Sequence, residues 1–391
     1  MNKDFIGNKL TYARNRAGIS MQEIADLIAV KRQYIHKIET GKENKSFSDI
    51  QLNVIAEALG VNPSYFYQEH TASISNDRLH FRSVSIPNYI RERAKIYAED
   101  FIAVCLYVKN YIEPLGLEIP HFHLDEYCDS VQISPESVNK SEIEKISLMV
   151  REYLELGLGP ISNMVRVLET SGAIICTASE ISSKVDAFCN DDILPIVMRN
   201  DSKSPVRCRF DLAHELGHLI MHKGITNDVQ ENPLIEKQAN HFASCFLLPK
   251  ETFIAEFPAF SKTRVPWDLL LEMKLRWKVS IAALIMRAHD LELISDAARQ
   301  KAFMHISHKG WRTCEPADKP EHSQYIELEQ PELIKNAVNL IKNTHMDFLP
   351  RMKEELKLNS SVLIDILGMP ELSDVDFVIQ RPSLHVVSDS S

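Results

Sequence analysis

Residues 208–221 read CRFDLAHELGHLIM, and the apolar residues among them recur at the spacing of an amphipathic helix. On this predicted helix His214 and His218 are four residues apart, so their side chains lie on the same face and can bind one zinc ion. Glu215 can reach a water on that ion without being a ligand, which suits it to act as a general base. His222 continues the four-residue series, but it lies a further turn away and we expect it not to be a ligand.

A third metal ligand is expected on the next predicted helix, over residues 233–248, where a proline occupies the first helical position. Glu236 lies eighteen residues after His218 and would complete the two-histidine, one-glutamate ligand set of a catalytic zinc. Asn240 shares the face of Glu236, so we expect its side chain to accept the free N–H of a ligand histidine. The alternative is that Glu236 is a surface acid and that Glu231 is the ligand.

A second pattern, ISMQEIADLIAVKRQYIHKIETG at residues 19–41, predicts two short helices joined by a turn. Ser20 and Glu23 can form a capping box at the start of the first helix. The second helix would expose five residues that can contact base edges or phosphates in a DNA major groove. These residues are Lys31, Arg32, Gln33, His36 and Lys37. The pattern favours a module that binds double-stranded DNA, and the alternative is a small helical bundle that makes protein contacts.

The distribution of charge supports DNA binding by this N-terminal segment. The whole chain has a formal net charge of −10, which by itself argues against a nucleic-acid partner. Residues 1–45 hold nine Lys and Arg against five Asp and Glu, so the segment carries +4 and the remainder −14. Because a local basic patch matters more to DNA than the total charge, we expect the acidic remainder only to limit non-specific binding.

Residues 5–67 resemble the XRE/Cro-C1 repressor family in the spacing of these motifs, down to the closing Ile38-Glu39-x-Gly41. The resemblance implies a five-helix DNA-binding domain, a double-stranded operator as the partner, and binding as a homodimer. Two residues depart from the family pattern. Met21 stands where the family usually has a glutamine that contacts a phosphate. Ala29 replaces the usual glycine of the turn, so we expect the turn to differ slightly.

Residues 80–315 resemble the ImmA/IrrE family of metallopeptidases. The motifs that carry the resemblance lie at 157–161, 203–205, 209–218, 236–243, 247–249, 277–285 and 309–312. The resemblance implies a zincin-like domain that uses Zn²⁺, with Mn²⁺ as an alternative, to cleave a partner protein of the XRE-type repressor or antitoxin class. Since a repressor-like domain occurs here on the same chain, cleavage in trans, cleavage in cis and no cleavage all stay open. The alternative function is a non-proteolytic regulator in which the zincin fold serves as a sensor or dimerisation domain.

These patterns together predict an α+β fold that is mainly helical. We divide the 391 residues into a helix-turn-helix domain (1–70), a linker and helical connector (71–139), a zincin-like metallopeptidase domain with a small β-sheet (140–315) and a helical C-terminal segment of unassigned role (316–391). The sheet is expected to contain strands at 173–177 and 193–199, and a further short strand is indicated at 79–83. Residues 196–198 either offer a free sheet edge to an extended substrate or lie in a central strand without a free edge.

Three features predict a cytoplasmic protein that does not enter a membrane. No apolar run is long enough to cross a bilayer. The N-terminus, MNKD, lacks the apolar stretch of a secretory signal. The seven cysteines are scattered without CxxC pairs, which is typical of reduced thiols rather than of a disulfide framework.

Overall fold

The computed structural model describes residues 4–42, 47–68, 87–112, 139–177, 187–190, 194–222, 233–260 and 265–378. The predicted strand at 79–83 and the alternative ligand Glu231 lie outside these ranges. By its internal contacts the chain divides into two compact units. The first unit comprises Met1–Ser73, Glu99–Glu113 and Glu332–Ser391, and the second comprises Ile74–Ala98 and Pro114–Pro331.

Helices make up most of both units. In chain order they are α1 (Gly7–Ala17), α2 (Met21–Leu27), α3 (Arg32–Glu39), α4 (Asp49–Ala58), α5 (Asn88–Lys109), α6 (Lys140–Tyr153), α7 (Met164–Thr170), α8 (Pro205–Met221), α9 (Pro233–Leu247), α10 (Lys250–Glu256), α11 (Trp267–Trp277), α12 (Ile281–Asp290), α13 (Asp296–His308), α14 (Leu333–Thr344), α15 (Phe348–Leu356) and α16 (Ser360–Leu367). Among the described residues, 3₁₀ helices lie at Pro63–Tyr67 and Asp374–Phe377. The strands are β1 (Ile174–Thr177), β2 (Ala187–Asn190) and β3 (Ile196–Arg199). The predicted class, α+β and mainly helical, is confirmed.

Helices α1 to α4 and the 3₁₀ helix at Pro63–Tyr67 form the predicted five-helix N-terminal domain. The side chain of Ser20 accepts a hydrogen bond from the backbone N–H of Glu23 at 3.2 Å, and the Glu23 carboxylate accepts one from the N–H of Ser20 at 2.7 Å. The predicted capping box is therefore present. In the following turn Ala29 has a φ of 55°, a left-handed conformation that costs an L-residue roughly 1–2 kcal/mol. The turn thus keeps a glycine-like backbone although the glycine is replaced.

The first unit joins the helix-turn-helix domain to parts of the chain that are distant in sequence. On the α5 side, the buried guanidinium of Arg16 pairs with the carboxylate of Asp100 at 3.2 Å. On the C-terminal side, the backbone N–H of Asn62 donates to the carbonyl of Lys357 at 2.9 Å. Breaking a buried ion pair leaves an uncompensated charge, which is strongly destabilising. The N-terminal domain therefore depends for its stability on residues well beyond its own sequence. The predicted boundaries at 70, 139 and 315 stay a prediction.

In the part of the second unit that the structure describes, the sheet contains three strands in the order β1-β3-β2. β3 pairs in parallel with β1, with Ile174 opposite Ile196, and antiparallel with β2, with Asn190 opposite Ile196. The idea that residues 196–198 offer a free edge is therefore wrong, because β3 is the central strand. All four of its residues are buried, as expected for a strand covered on both faces. Strand β2 was not predicted from the sequence.

Helices α8 and α9 pack closely against each other in the core of the second unit. A Cβ atom at Gly217 would lie 2.9 Å from Cδ1 of Phe242, which is too close for any residue but glycine without movement of the ring. Proline at the first position of each helix fits the helical start, since its missing N–H would have no intrahelical partner there. The two helices predicted at 208–221 and 233–248 thus form a single buried contact.

Candidate metal centre

His214 and His218 lie one turn apart on α8 and converge as their spacing predicts. Both side chains are buried, and their Nε2 atoms are 3.0 Å apart. The rings meet edge to face, with centroids 4.6 Å apart. The two nitrogens therefore point at a common position next to the helix. Nδ1 of His214 is also buried, and it has no hydrogen-bond partner among the residues that the structure describes.

Glu236 reaches the same position from the first turn of α9. Its Oε2 is 3.5 Å from Nε2 of His214, and its Oε1 is 3.3 Å from Nε2 of His218. Burial alone would raise the pKa of the Glu236 carboxyl, but its hydrogen bonds and electrostatic interactions with the two histidines hold the pKa well below its ordinary value. Its carboxylate can therefore act as a ligand.

The three side chains offer a metal ion a compact set of ligand atoms. One ligand atom from each of the three residues lies within 4.8 Å of the other two. Two imidazole nitrogens and one carboxylate oxygen are donors that zinc prefers, and three protein donors leave a fourth position for water or substrate. The residues present therefore fit a zinc ion, and their role as its ligands stays a prediction. Glu215, which follows His214 on α8, is itself almost fully buried.

His222 and Gln238 extend the site on the side of His218. Nδ1 of His222 lies 3.0 Å from Nδ1 of His218, and Nε2 of His222 lies 3.1 Å from Oε1 of Gln238. Burial, with His218 as a smaller cause, lowers the pKa of His222 to about 3, so its ring is neutral at pH 7. No pattern in the sequence indicated a role for Gln238. The four-residue spacing of His222 from His218 was a usable signal, because it predicts contact on the same helix face. Asn240 is half-buried one turn after Glu236, and its contact with a ligand histidine stays a prediction.

A second group of metal-type donors lies elsewhere in the second unit, where Glu144, His241 and Cys245 also come within 4.8 Å of one another. Nη1 of Arg287 lies 3.0 Å from the Glu144 carboxylate and 3.3 Å from Sγ of Cys245. A guanidinium therefore already supplies the positive charge at this place. Burial also raises the pKa of the Cys245 thiol, which keeps it protonated. This group is an ion pair with a buried thiol rather than a competing metal centre.

The five residues expected to contact DNA lie together on the solvent side of α3. Lys31, Arg32, Gln33, His36 and Lys37 are all exposed. The opposite side of the helix buries Ile35, Ile38 and Glu39. The Glu39 carboxylate pairs with Arg14 on α1 at 2.8 Å, which fixes the helix in the domain. The geometry presents a continuous basic and polar face.

Two family models match segments of this chain, one in each unit. Residues 169–289 match the family model of peptidase family M78, described as an IrrE N-terminal-like domain, and residues 10–66 match a helix-turn-helix model. No curated protein matches the chain. The chain is therefore a fusion of a DNA-binding-type domain with a protease-like domain. More specifically, it joins an XRE-type helix-turn-helix domain to an ImmA/IrrE-family domain, and both predicted resemblances are confirmed.

No described helix is both long and apolar enough to span a bilayer.

The candidate metal centre predicts the metal content of the protein. We expect about one divalent ion per full-length chain, because three convergent donors suffice for a zinc site. Either His214→Ala or Glu236→Ala should lose the ion, since two protein donors do not retain it. Elemental analysis after exhaustive dialysis measures this directly. His241→Ala and Cys245→Ser alter the other donor group and serve as controls that should keep the full metal content. Full occupancy in the two site variants would contradict the assignment.

Proposed function

We propose that this protein is a DNA-binding transcriptional regulator with zinc-dependent endopeptidase activity, acting on a repressor or antitoxin-type partner. The observation that carries the proposal is the convergence of His214, His218 and Glu236 beside the buried Glu215, within the segment that matches the M78 family. A purely structural metal site has no need of a carboxylic acid at the position of Glu215. The presence of a general base distinguishes a hydrolytic metal centre from a structural one.

The residues of the site divide the work of peptide hydrolysis. His214, His218 and Glu236 would hold the ion, and Zn²⁺ fits this donor set, with Mn²⁺ as the alternative. A divalent ion bound there supplies Lewis acidity toward the scissile carbonyl and the attacking water. Glu215 takes the proton from the attacking water and passes it to the nitrogen of the leaving amine. Burial of Glu215 and of both histidines limits competing solvent around these groups.

An extended substrate would need backbone partners near this centre. Since β3 is central, it cannot provide them. Strand β2 pairs with β3 alone among the described strands and lies against α8. We therefore propose that the backbone of β2, and not that of β3, pairs with the peptide to be cleaved.

The N-terminal unit would deliver this activity to DNA. The exposed face of α3 suits a major groove, with Gln33 and Arg32 reading base edges and the lysines meeting phosphates. We propose that the protein binds a double-stranded operator as a homodimer, and that the partner it cleaves acts at the same or a nearby site. Because a partner that acts at an operator lies in the cytoplasm, we propose that this protein acts there as well.

A second function is favoured by the fusion itself. A peptidase that carries its own helix-turn-helix domain can act as a regulator without cleaving anything, with the zincin fold as a sensor or a dimerisation domain. The two functions differ in whether Glu215 is needed. A metal-dependent sensor requires the three ligands but not a general base.

Glu215→Gln separates these functions. The change keeps the shape of the side chain and removes its basicity, so metal content, folding and DNA binding should stay unchanged. Cleavage should fall by roughly 10²–10⁴-fold, the contribution of general-base catalysis. The measurement is cleavage of XRE-type repressors and antitoxins encoded near this protein, with Zn²⁺ or Mn²⁺ supplied. Glu251→Gln, at an exposed position on α10, is the matched control and should cleave normally. A Glu215→Gln strain that regulates normally would favour the sensor function.

Gln33→Ala tests the DNA-binding face. Loss of a base contact costs about 1–3 kcal/mol of discrimination, whereas phosphate contacts from neighbouring residues remain. We therefore expect the variant to lose sequence preference more than total affinity. Selection of genomic fragments by the full-length protein, at two salt concentrations, measures both quantities. Gln324→Ala removes an exposed glutamine from the second unit and should leave the selected sequences unchanged. A wild-type protein that selects no sequence would overturn this assignment.

A further inference from the structure

Three buried side chains form a hydrogen-bonded chain that starts at the metal-facing ring of His218. Nδ1 of His218 is 3.0 Å from Nδ1 of His222, and Nε2 of His222 is 3.1 Å from Oε1 of Gln238. His222 is 6% exposed and Gln238 is 4% exposed. Gln238 lies on α9, so this hydrogen-bonded chain of side chains connects the two helices that carry the candidate metal ligands.

The end of this chain sets the direction of its hydrogen bonds. An amide oxygen can only accept, so Nε2 of His222 must carry the proton that it donates to Gln238. A neutral imidazole has one proton, so Nδ1 of His222 is then bare and acts as an acceptor. His218 must therefore donate from Nδ1. Its single proton is used there, and the lone pair of its Nε2 is left facing His214 and Glu236.

The opposite direction is incompatible with a metal site. If Gln238 turned its amide nitrogen toward His222, the amide would donate to Nε2 of His222. The proton of the His222 ring would then be on Nδ1, and the proton of the His218 ring would be on Nε2. His218 would then be protonated on Nε2, the atom that lies 3.0 Å from Nε2 of His214 and 3.3 Å from Oε1 of Glu236. A protonated ring nitrogen has no lone pair for an ion. Only the direction set by the amide oxygen leaves His218 ready to be a ligand.

We propose that His222 and Gln238 are positioning residues that hold His218 in the tautomer whose Nε2 lone pair faces the metal position. The proposal rests on the proposed metal centre and adds residues that act through one of its ligands. His218 and His214 differ in this respect, because Nδ1 of His214 meets no hydrogen-bond partner among the described residues. His218 is thus the ligand that the protein orients in advance. Removing such an outer partner lowers metal affinity by roughly 10–100-fold.

Substitutions at His222 test the proposal through zinc affinity rather than activity. His222→Phe keeps a buried ring of similar size but no acceptor, and we expect zinc binding by the full-length protein to weaken by about 10–100-fold. His222→Asn places an amide oxygen near the position of Nδ1 and should recover most of the affinity. Gln238→Met removes the acceptor at the far end and should weaken binding in the same direction. Competition with a chromophoric chelator measures all three, and His308→Phe, at an exposed position, is the matched control and should bind zinc normally.

The tautomer itself can be observed. Nitrogen-15 labelling of the histidines, with two-bond proton–nitrogen correlation spectra of the full chain, distinguishes the two neutral forms of each ring. We expect His222 to be protonated on Nε2 both with and without zinc, because Gln238 fixes that proton independently of the ion. Assignment follows from the loss of the signals in His222→Phe. A His222 ring protonated on Nδ1 would overturn the proposal, since it could not accept from His218.

The results distinguish a failure of the positioning role of His222 and Gln238 from a failure of the proposed metal centre. If the His214→Ala variant binds zinc as tightly as the wild type, the metal centre is wrong and the positioning role falls with it. If His214→Ala loses zinc while His222→Phe binds it as tightly as the wild type, the metal centre stands and the positioning role alone is wrong. Thermal melting of the metal-free variants identifies any loss that comes from misfolding. Recovery in His222→Asn supports the hydrogen bond rather than the ring volume as the cause.

Discussion

Helix α9 lies so close to α8 that a Cβ at position 217 would come within 2.9 Å of Cδ1 of Phe242. This approach brings Glu236 to 3.5 Å from His214 and 3.3 Å from His218, although Glu236 lies eighteen residues after His218 along the chain. The glycine at position 217, between His214 and His218, is thus a packing requirement, while the histidines around it supply the chemistry. The candidate metal centre and the hydrogen-bonded chain behind it both span this one helix contact.

The helix that bears the histidines is also fixed from its N-terminal half. The buried Arg209 donates to the carbonyl of Lys278 at 3.1 Å and to that of Ile161 at 2.7 Å, and it forms an ion pair with Glu329. The Glu329 carboxylate in turn accepts from the backbone N–H of Met164 at 2.7 Å, at the start of α7. The Arg209 guanidinium therefore links α8 by hydrogen bonds and an ion pair to three other segments of the second unit, at Ile161, Lys278 and Glu329. Ligand side chains on a helix held in this way need little rearrangement to bind an ion.

Local sequence patterns were enough to predict the parts of the site that a helix determines by itself. The spacing of His214 and His218 fixes their common face. Periodicity predicted α8 from residue 208, three residues after its observed start, and the proline signal located the start of α9. Long-range features were not predictable in this way. The sequence predicted a strand at 193–199, but the partners of a strand come from elsewhere in the sheet. Its edge or central position was therefore left open, and the existence of β2 was missed. Gln238 was missed for the same reason, because its role depends on how α9 meets His222. The grouping of the C-terminal helices with the N-terminal domain likewise rests on contacts that no single segment encodes.

The central claim is that one metal ion is held by His214, His218 and Glu236, and X-ray absorption at the zinc edge of the metal-loaded full-length protein tests it most directly. The two donor groups found among the described residues differ in one respect that this method detects, since of these two the group of Glu144, His241 and Cys245 alone contains sulfur. Our account predicts a first shell of nitrogen and oxygen only, at about 2.0–2.2 Å, with the multiple-scattering signature of two imidazoles. A sulfur ligand at about 2.3 Å, or the absence of imidazole scattering, would contradict it.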